Sequence, residues 1–195
     1  MRTSDCDVVI VGVGGQGVIL ISEIIGKAAL SAGLSVRGVE THGMAQRGGS
    51  VINHIRIGCR YSAMISLGGA DVLLAMEPAE ALRYATYLSP DGIALVNTTA
   101  VLPVTVTTGQ ASYPAIEEIL APLWEASSRV YPMDATGLAA EAGSLQATNV
   151  VMLGALARHI PIGEEALLEA LFQTVPARFL EINRKAFELG KIEVE

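Results

Sequence analysis

The chain has 195 residues, 51 % hydrophobic, 17 % charged and 5 % aromatic, which suffices for one domain with a sizeable core and falls short of two of ordinary size. A net charge of −7 with 13 scattered basic residues excludes a nucleic-acid backbone as the expected ligand, because neutralising phosphates takes a dense Lys/Arg surface. Apolar runs such as Val8–Val13 are far below the ~20 residues that cross a bilayer, and no signal-peptide pattern opens the sequence, so the expectation is one domain over 1–195, cytoplasmic, with no membrane contact. Cys6 and Cys59 have neither CxxC spacing nor a nearby histidine cluster, which excludes a zinc or iron–sulfur site built within the chain.

In chain order, Asp7–Val13 reads as a buried strand, with Val8, Val9, Ile10 and Val11 consecutive and β-branched. A glycine turn follows, and from Gly17 to Ala32 apolar residues recur at helical spacing up to a stop at Gly33. Ser35–Glu40 is the second strand, which makes a βαβ crossover with two parallel strands. Ser50–Ile57 alternates with one more polar face, as an edge or antiparallel strand would. Ala70–Met76 is another buried strand, and Pro78 opens a helix to Tyr87. Pro90-Asp91-Gly92 has turn chemistry, and Ile93–Asn97 and Val104–Thr107 read as strands. Ile116–Ser127 is helical, with Pro122 either kinking it or marking its true start.

Arg129–Met133 is a last strand, after which helices are predicted at Thr136–Ala142, Thr148–Arg158, Glu164–Phe172 and Pro176–Gly190. Thr148 or Asn149 is the expected cap of the second of these, which is apolar nearly all round and therefore buried. His54 and His159 read as structural or solvated, and Met44, Met64 and Met76 as core filler. The fold class that results is α/β, a three-layer Rossmann-like sandwich around a mostly parallel sheet, with a helical C-terminal part.

Gly12-x-Gly14-x-x-Gly17 lies between a strand and a helix, with Glu40 at the end of the next strand, as in a dinucleotide fingerprint. Glycines there let a backbone approach a diphosphate, and the helix N-terminus offers free N–H groups to an anion. One reading is therefore an NAD(P)- or FAD-dependent oxidoreductase using this turn and Glu40; the other is a tight glycine turn that lets helix and strand pack closely. The loop Thr41–Ser50 adds Gly43, Gly48 and Gly49, which permit unusual backbone, and the polar or cationic His42, Gln46 and Arg47. Arg47 beside a glycine pair could present its planar fork to a carboxylate or phosphate, or pair locally at the surface.

Four motifs in order, Val-Gly-Val-Gly-Gly-Gln-Gly (11–17), Glu-Thr-His-Gly-Met-Ala-Gln-Arg-Gly-Gly-Ser-Val (40–51), Ala-Asp-Val-Leu-Leu-Ala-Met-Glu-Pro (70–78) and Asn-Val-Val-Met-Leu-Gly-Ala (149–155), carry a resemblance across essentially the whole chain. It resembles the gamma-type subunits of 2-oxoacid:ferredoxin oxidoreductases, nearest to the small (beta) subunits of the indolepyruvate type. The resemblance implies an accessory subunit, inactive alone, of an enzyme that oxidatively decarboxylates an aryl 2-oxoacid to its coenzyme A thioester and reduces ferredoxin. It also implies that thiamine diphosphate, magnesium and the iron–sulfur clusters sit in a large alpha subunit, with no cofactor bound by this chain alone. Gly14, Gly15, Gln16 and Gly17 become a candidate turn facing coenzyme A or another anion, and Arg47 a ligand or interface residue. Thr41, His42, Met44, Gln46, Gly48 and Gly49 become candidate interface residues; no catalytic or metal-binding residue is expected.

Overall fold

The computed structural model describes residues 5–42, 48–59 and 62–194. Six strands form one sheet: β1 (Cys6–Val13), β2 (Val36–His42), β3 (Ser50–Ile57), β4 (Ala70–Ala75), β5 (Leu88–Asn97) and β6 (Arg129–Met133). Their order is β2-β3-β1-β4-β5-β6. β1, β4, β5 and β6 run parallel, and β3 is antiparallel to both β1 and β2. The predicted crossover thus joins two strands of the same direction that are not neighbours, because β3 lies between them.

β3 occupies that interior place because both of its faces can be buried. Val51, Ile55 and Ile57 point to one side and Ile52 to the other, and the polar Asn53 and His54 are buried with them. His54 and Arg56, on one face, made the strand look half-solvated in sequence; it is antiparallel as expected, and it is not an edge. Along β1 the period of two assigns Val8 and Ile10 to one core and Val9 and Val11 to the other.

The first core is covered by α1 (Val18–Ser31), α5 (Ala135–Ala142), α6 (Thr148–Ala157), α7 (Glu164–Thr174) and α8 (Leu180–Glu193). The second lies under α2 (Pro78–Arg83) and α4 (Ile116–Ala126), with Leu120 and Leu123 facing the sheet. The arrangement is the expected three-layer α/β sandwich with a helical C-terminal part. No helix among the described residues is long and apolar enough to cross a membrane.

Several local expectations give way. Val104–Thr107 is a one-turn helix, α3, because the Thr107 and Thr108 hydroxyls both bond back to the Val104 carbonyl (2.9 and 2.8 Å) and, among the described residues, no strand pairs with it. Pro90-Asp91-Gly92 lies inside β5 as a bulge, where pairing jumps from Ala70 with Leu88 to Val72 with Ile93. The helix expected over Pro78–Tyr87 breaks at Tyr84 into a 3-10 turn, Ala85–Tyr87. α4 starts at Ile116 and runs through Pro122. α6 grows out of a 3-10 turn at Leu145–Ala147, so Ala147 stands at its cap position, and neither Thr148 nor Asn149 does. Met76 is core, whereas Met64 is 51 % exposed.

α6 and α8 approach so closely that a β-carbon on Gly154 would land in the Phe187 carbonyl, and one on Gly190 in the Val151 carbonyl. Neither neighbour is a flexible side chain. Gly154→Ala or Gly190→Ala should therefore cost about 1–3 kcal/mol or more through backbone displacement, read as a lowered midpoint in urea unfolding.

His54 is 1 % exposed; its ring accepts a hydrogen bond from the Ile65 N–H at Nδ1 (3.4 Å) and meets Tyr87 edge-on with centroids 5.2 Å apart. Burial pushes its pKa below the ordinary histidine value, so the folded state holds it neutral. The unfolded chain then binds the extra proton, and stability falls as pH drops through about 6.5. His54→Gln should flatten that part of the stability–pH curve, measured by thermal melts between about pH 7 and pH 5.

Candidate functional site

β1 feeds α1 on one face of the sheet and β4 feeds α2 on the other, so the ends of β1 and β4 form the switch point where open α/β sheets bind ligands. The glycine turn stands there. Gly15 (φ 104°) and Gly17 (φ 82°) adopt left-handed backbone, and Gly17 is the N-cap of α1 with no side chain closing the cap. Gly17 is needed twice over, since an added β-carbon would also strike the side chain of Asn149.

Gln16 folds back into the switch point. Its Oε1 accepts from the Val13 N–H (2.7 Å) and its Nε2 donates to the Met76 carbonyl (3.1 Å), so one carboxamide ties the end of β1 to the end of β4. The Asn97 amide also donates to the Met76 carbonyl (3.1 Å) and to Thr136 Oγ1 (3.2 Å), adding the end of β5 and the start of α5 to the same knot. Beside it opens a cavity of about 330 Å³ lined by Gly15, Gln16, Met76, Asn97, Thr99, Val101, Thr136, Leu145, Gln146, Thr148 and Asn149. Every polar lining side chain there is an amide or a hydroxyl. Asn149 is 5 % exposed, and its Oδ1 has no hydrogen-bond partner among the described residues. An acceptor held out of water without a donor costs about 1–3 kcal/mol, so the crevice wall is built with an unmet demand for an N–H or O–H.

The two glycine-rich loops meet, since the Gly14 N–H donates to the Gly49 carbonyl (2.8 Å). Gly48 (φ 74°) is exposed just before it, Thr41 is exposed near the end of β2, and His42 closes that strand opposite Val51. Met44, Gln46 and Arg47, with Gly43 and Ala45, lie outside the described residues.

Glu40 does not take the ribose position of a dinucleotide site. It pairs with Asn53, which pairs in turn with Ile10, so it stands two strand spacings from β1, about 10 Å, and level with the middle of that strand. The Gln16 carboxamide meanwhile sits against the backbone that a diphosphate would approach.

A network that sequence reasoning missed supports the second loop. Glu77 caps α2 by accepting from the Glu80 N–H (3.0 Å), and its other oxygen accepts from the Tyr113 hydroxyl and the Val101 N–H (3.3 Å). Glu80 accepts from the Ser50 hydroxyl, which also meets Tyr84 Oη at 2.9 Å. Burial, then the bond to Glu77, pushes the Tyr113 phenol well above its usual range, so it stays a donor. The visible clue was Glu77-Pro78 at a strand end, a cap followed by proline at the first helical position. Far from this end, Cys6 is buried and its thiol is pushed up to about 12, first by desolvation and then by Asp71 and Asp7, which makes it inert.

Fold and site together define a doubly wound α/β domain whose switch-point crevice is tied shut from within at the glycine turn and lined by neutral polar groups beside it. The sequence matches the family described as Pyruvate ferredoxin/flavodoxin oxidoreductase over residues 7–192. It is 47 % identical to the Indolepyruvate oxidoreductase subunit IorB of Archaeoglobus fulgidus over 186 residues, 94 % of this chain and 92 % of that subunit. The crystal structure of the keto/oxoacid ferredoxin oxidoreductase gamma subunit from Geobacter sulfurreducens is similar in fold, with a TM-score of 0.71 and 26 % identity over 97 % of this chain and 98 % of that one. The 2-oxoglutarate:ferredoxin oxidoreductase from Magnetococcus marinus, solved with 2-oxoglutarate, coenzyme A and succinyl-CoA bound, shares the fold at a TM-score of 0.75 and 23 % identity over 99 % of this chain but 31 % of that longer one. The chain belongs to the pyruvate ferredoxin/flavodoxin oxidoreductase family, as a small subunit of the 2-oxoacid:ferredoxin oxidoreductase type.

Gln16→Ala would remove both bonds of the bridge and leave the Val13 N–H unpaired. A stability loss of about 1–3 kcal/mol is expected, measured by urea unfolding, and Gln16→Glu should not restore it because a carboxylate cannot donate to the Met76 carbonyl.

Proposed function

We propose that this chain acts as one domain, the accessory subunit of a cytoplasmic, thiamine-diphosphate-dependent oxidoreductase that converts an aryl 2-oxoacid, indolepyruvate first among them, to its acyl-coenzyme A with reduction of ferredoxin. The observation that carries this reading is the Gln16 carboxamide seated across the switch point, where a nucleotide-dependent enzyme of this architecture would hold its diphosphate. The names of the relatives most similar to it support the substrate class.

The crevice lining has no carboxylate for magnesium and no thiolate for an iron–sulfur cluster, so it does not fit those groups, and both are assigned to the large subunit. It does fit a neutral, hydrogen-bonding segment. Asn149 Oδ1 would accept from an amide or hydroxyl of the co-substrate coenzyme A. Gly14, Gly15, Gln16 and Gly17 are kept as the candidate turn for its anionic part, which would meet the start of α1 at Gly15 and Gly17 and leave the Gln16 bridge in place. Thr41, His42, Met44, Gln46, Gly48 and Gly49 are assigned to the contact with the large subunit, and Arg47 either to that contact or to the ligand.

In the complex reconstituted with its large subunit, coenzyme A-dependent ferredoxin reduction should be fastest with aryl 2-oxoacids, and the isolated chain should show none. Arg47→Ala should raise KM for coenzyme A or the oxoacid; unchanged kinetics with weaker assembly would assign Arg47 to the interface. Tight NAD or flavin binding by the isolated chain would overturn the reading.

A further inference from the structure

The outer edge of β2 is open. Because β3 is wedged between β1 and β2, β2 ends the sheet, and no strand pairs with its far side among the described residues. The Gly58 N–H donates to the Ser35 carbonyl (2.7 Å), so these two residues form a hydrogen-bonded pair of the antiparallel ladder. By the alternation of such ladders Arg37 and Val39 also turn their N–H and C=O towards β3, which leaves those of Val36 and Gly38 aimed outwards. Gly38 is exposed. The opposite edge, β6, is five residues long and carries Pro132, a residue that discourages further pairing. β2 runs for seven residues in unbroken register with no proline.

The two faces beside this edge differ. On one, α1 leaves β2 partly uncovered, and a groove of about 400 Å³ remains between Ile19 and Gly26 of the helix and Gly38 and Ile55 of the sheet. Gly38 places no side chain between that groove and the edge. The charged residues lining it, Glu23 and Glu40, are acidic, so this face does not call for an acid. On the other face Arg37 stands opposite Arg56, which stands opposite Asp7. Arg56 is paired with Asp7 at 2.8 Å, whereas Arg37 is exposed and has no acid paired with it among the described residues. Like charges directly opposite one another destabilise a strand pair, so this row ends at the edge in a cation that lacks its counterion.

We propose that the edge of β2 receives an extended segment of the large subunit, which continues the sheet and presents an Asp or Glu opposite Arg37. The inference rests on the subunit reading above. In such strand addition the main-chain bonds, here to Val36 and Gly38, supply affinity, and alternate side chains supply selectivity. Neighbouring residues of a strand point to opposite faces. The incoming residue opposite Gly38 therefore leans across it towards Ile55 and the groove, while its neighbour opposite Arg37 completes the row of charges. A second copy of this chain is the poorer occupant, because two-fold pairing about the same edge would bring Arg37 close to its own counterpart.

Amide hydrogen exchange of the full chain, free and assembled with its large subunit, tests this. The Val36 and Gly38 amides should exchange readily in the free chain and slow about tenfold or more in the complex, while those of Arg37 and Val39 are protected in both. Arg37→Glu removes the like-charge pair with Arg56, so the free variant should melt no lower than the unsubstituted chain, yet its assembly should weaken about tenfold or more by surface plasmon resonance. Gly38→Pro, which takes away an outward N–H and no bond of the β2–β3 ladder, should weaken assembly likewise. Val36 and Gly38 amides that stay unprotected in the complex, or undiminished assembly of Arg37→Glu, would overturn the inference and leave the functional reading intact. Protection of the same amides that grows with the concentration of the free chain, with no further change on adding the large subunit, would overturn it in favour of a second copy. Failure of the unsubstituted chain to bind any large subunit would remove both readings.

Discussion

The wedging of β3 between β1 and β2 is the constraint from which the rest of this structure follows. In a simple βαβ unit the two strands lie side by side, and an acid at the end of the second reaches a ligand held at the glycine turn of the first. Here an antiparallel strand with two buried faces occupies that place. It moves Glu40 out of reach, brings the loop after β2 back to the glycine turn through the Gly14 to Gly49 hydrogen bond, and leaves α1 spanning more sheet than one helix can cover.

The switch point is consequently a different kind of site from the one its glycine pattern suggests. The carboxamide of Gln16 supplies to Val13 and Met76 the hydrogen bonds that hold β1 and β4 together at their ends, and Asn97 repeats the device one strand further on. A helix N-terminus with no side-chain cap stands there beside a wall of amides and hydroxyls. In the Magnetococcus marinus enzyme the same fold occupies 31 % of a longer chain.

The layers, the directions of the strands and most helix positions were legible in the sequence, because buried β-branched runs and helical apolar spacing report directly on packing. What could not be read was the order of β2 and β3. His54 and Arg56 look like the solvent-facing half of a strand, and only the surrounding sheet reveals that His54 is buried. The bulge in β5 hid behind Pro90-Asp91-Gly92, whose turn chemistry suits a distortion within a strand as well as the end of one. At the site, the glycines were visible but the roles of Gln16 and Asn149 were not. A glutamine inside a glycine turn says nothing of where its side chain folds, and Asn149 resembled a cap until a 3-10 turn displaced the start of its helix.

The neutrality of the crevice has a kinetic consequence. Among the described residues its lining side chains are glutamine, asparagine, threonine and apolar groups, none of which titrates, so their own hydrogen-bonding character is the same in mild acid and mild base. A bell-shaped pH profile of an enzyme containing this subunit therefore reports acids and bases other than these lining side chains.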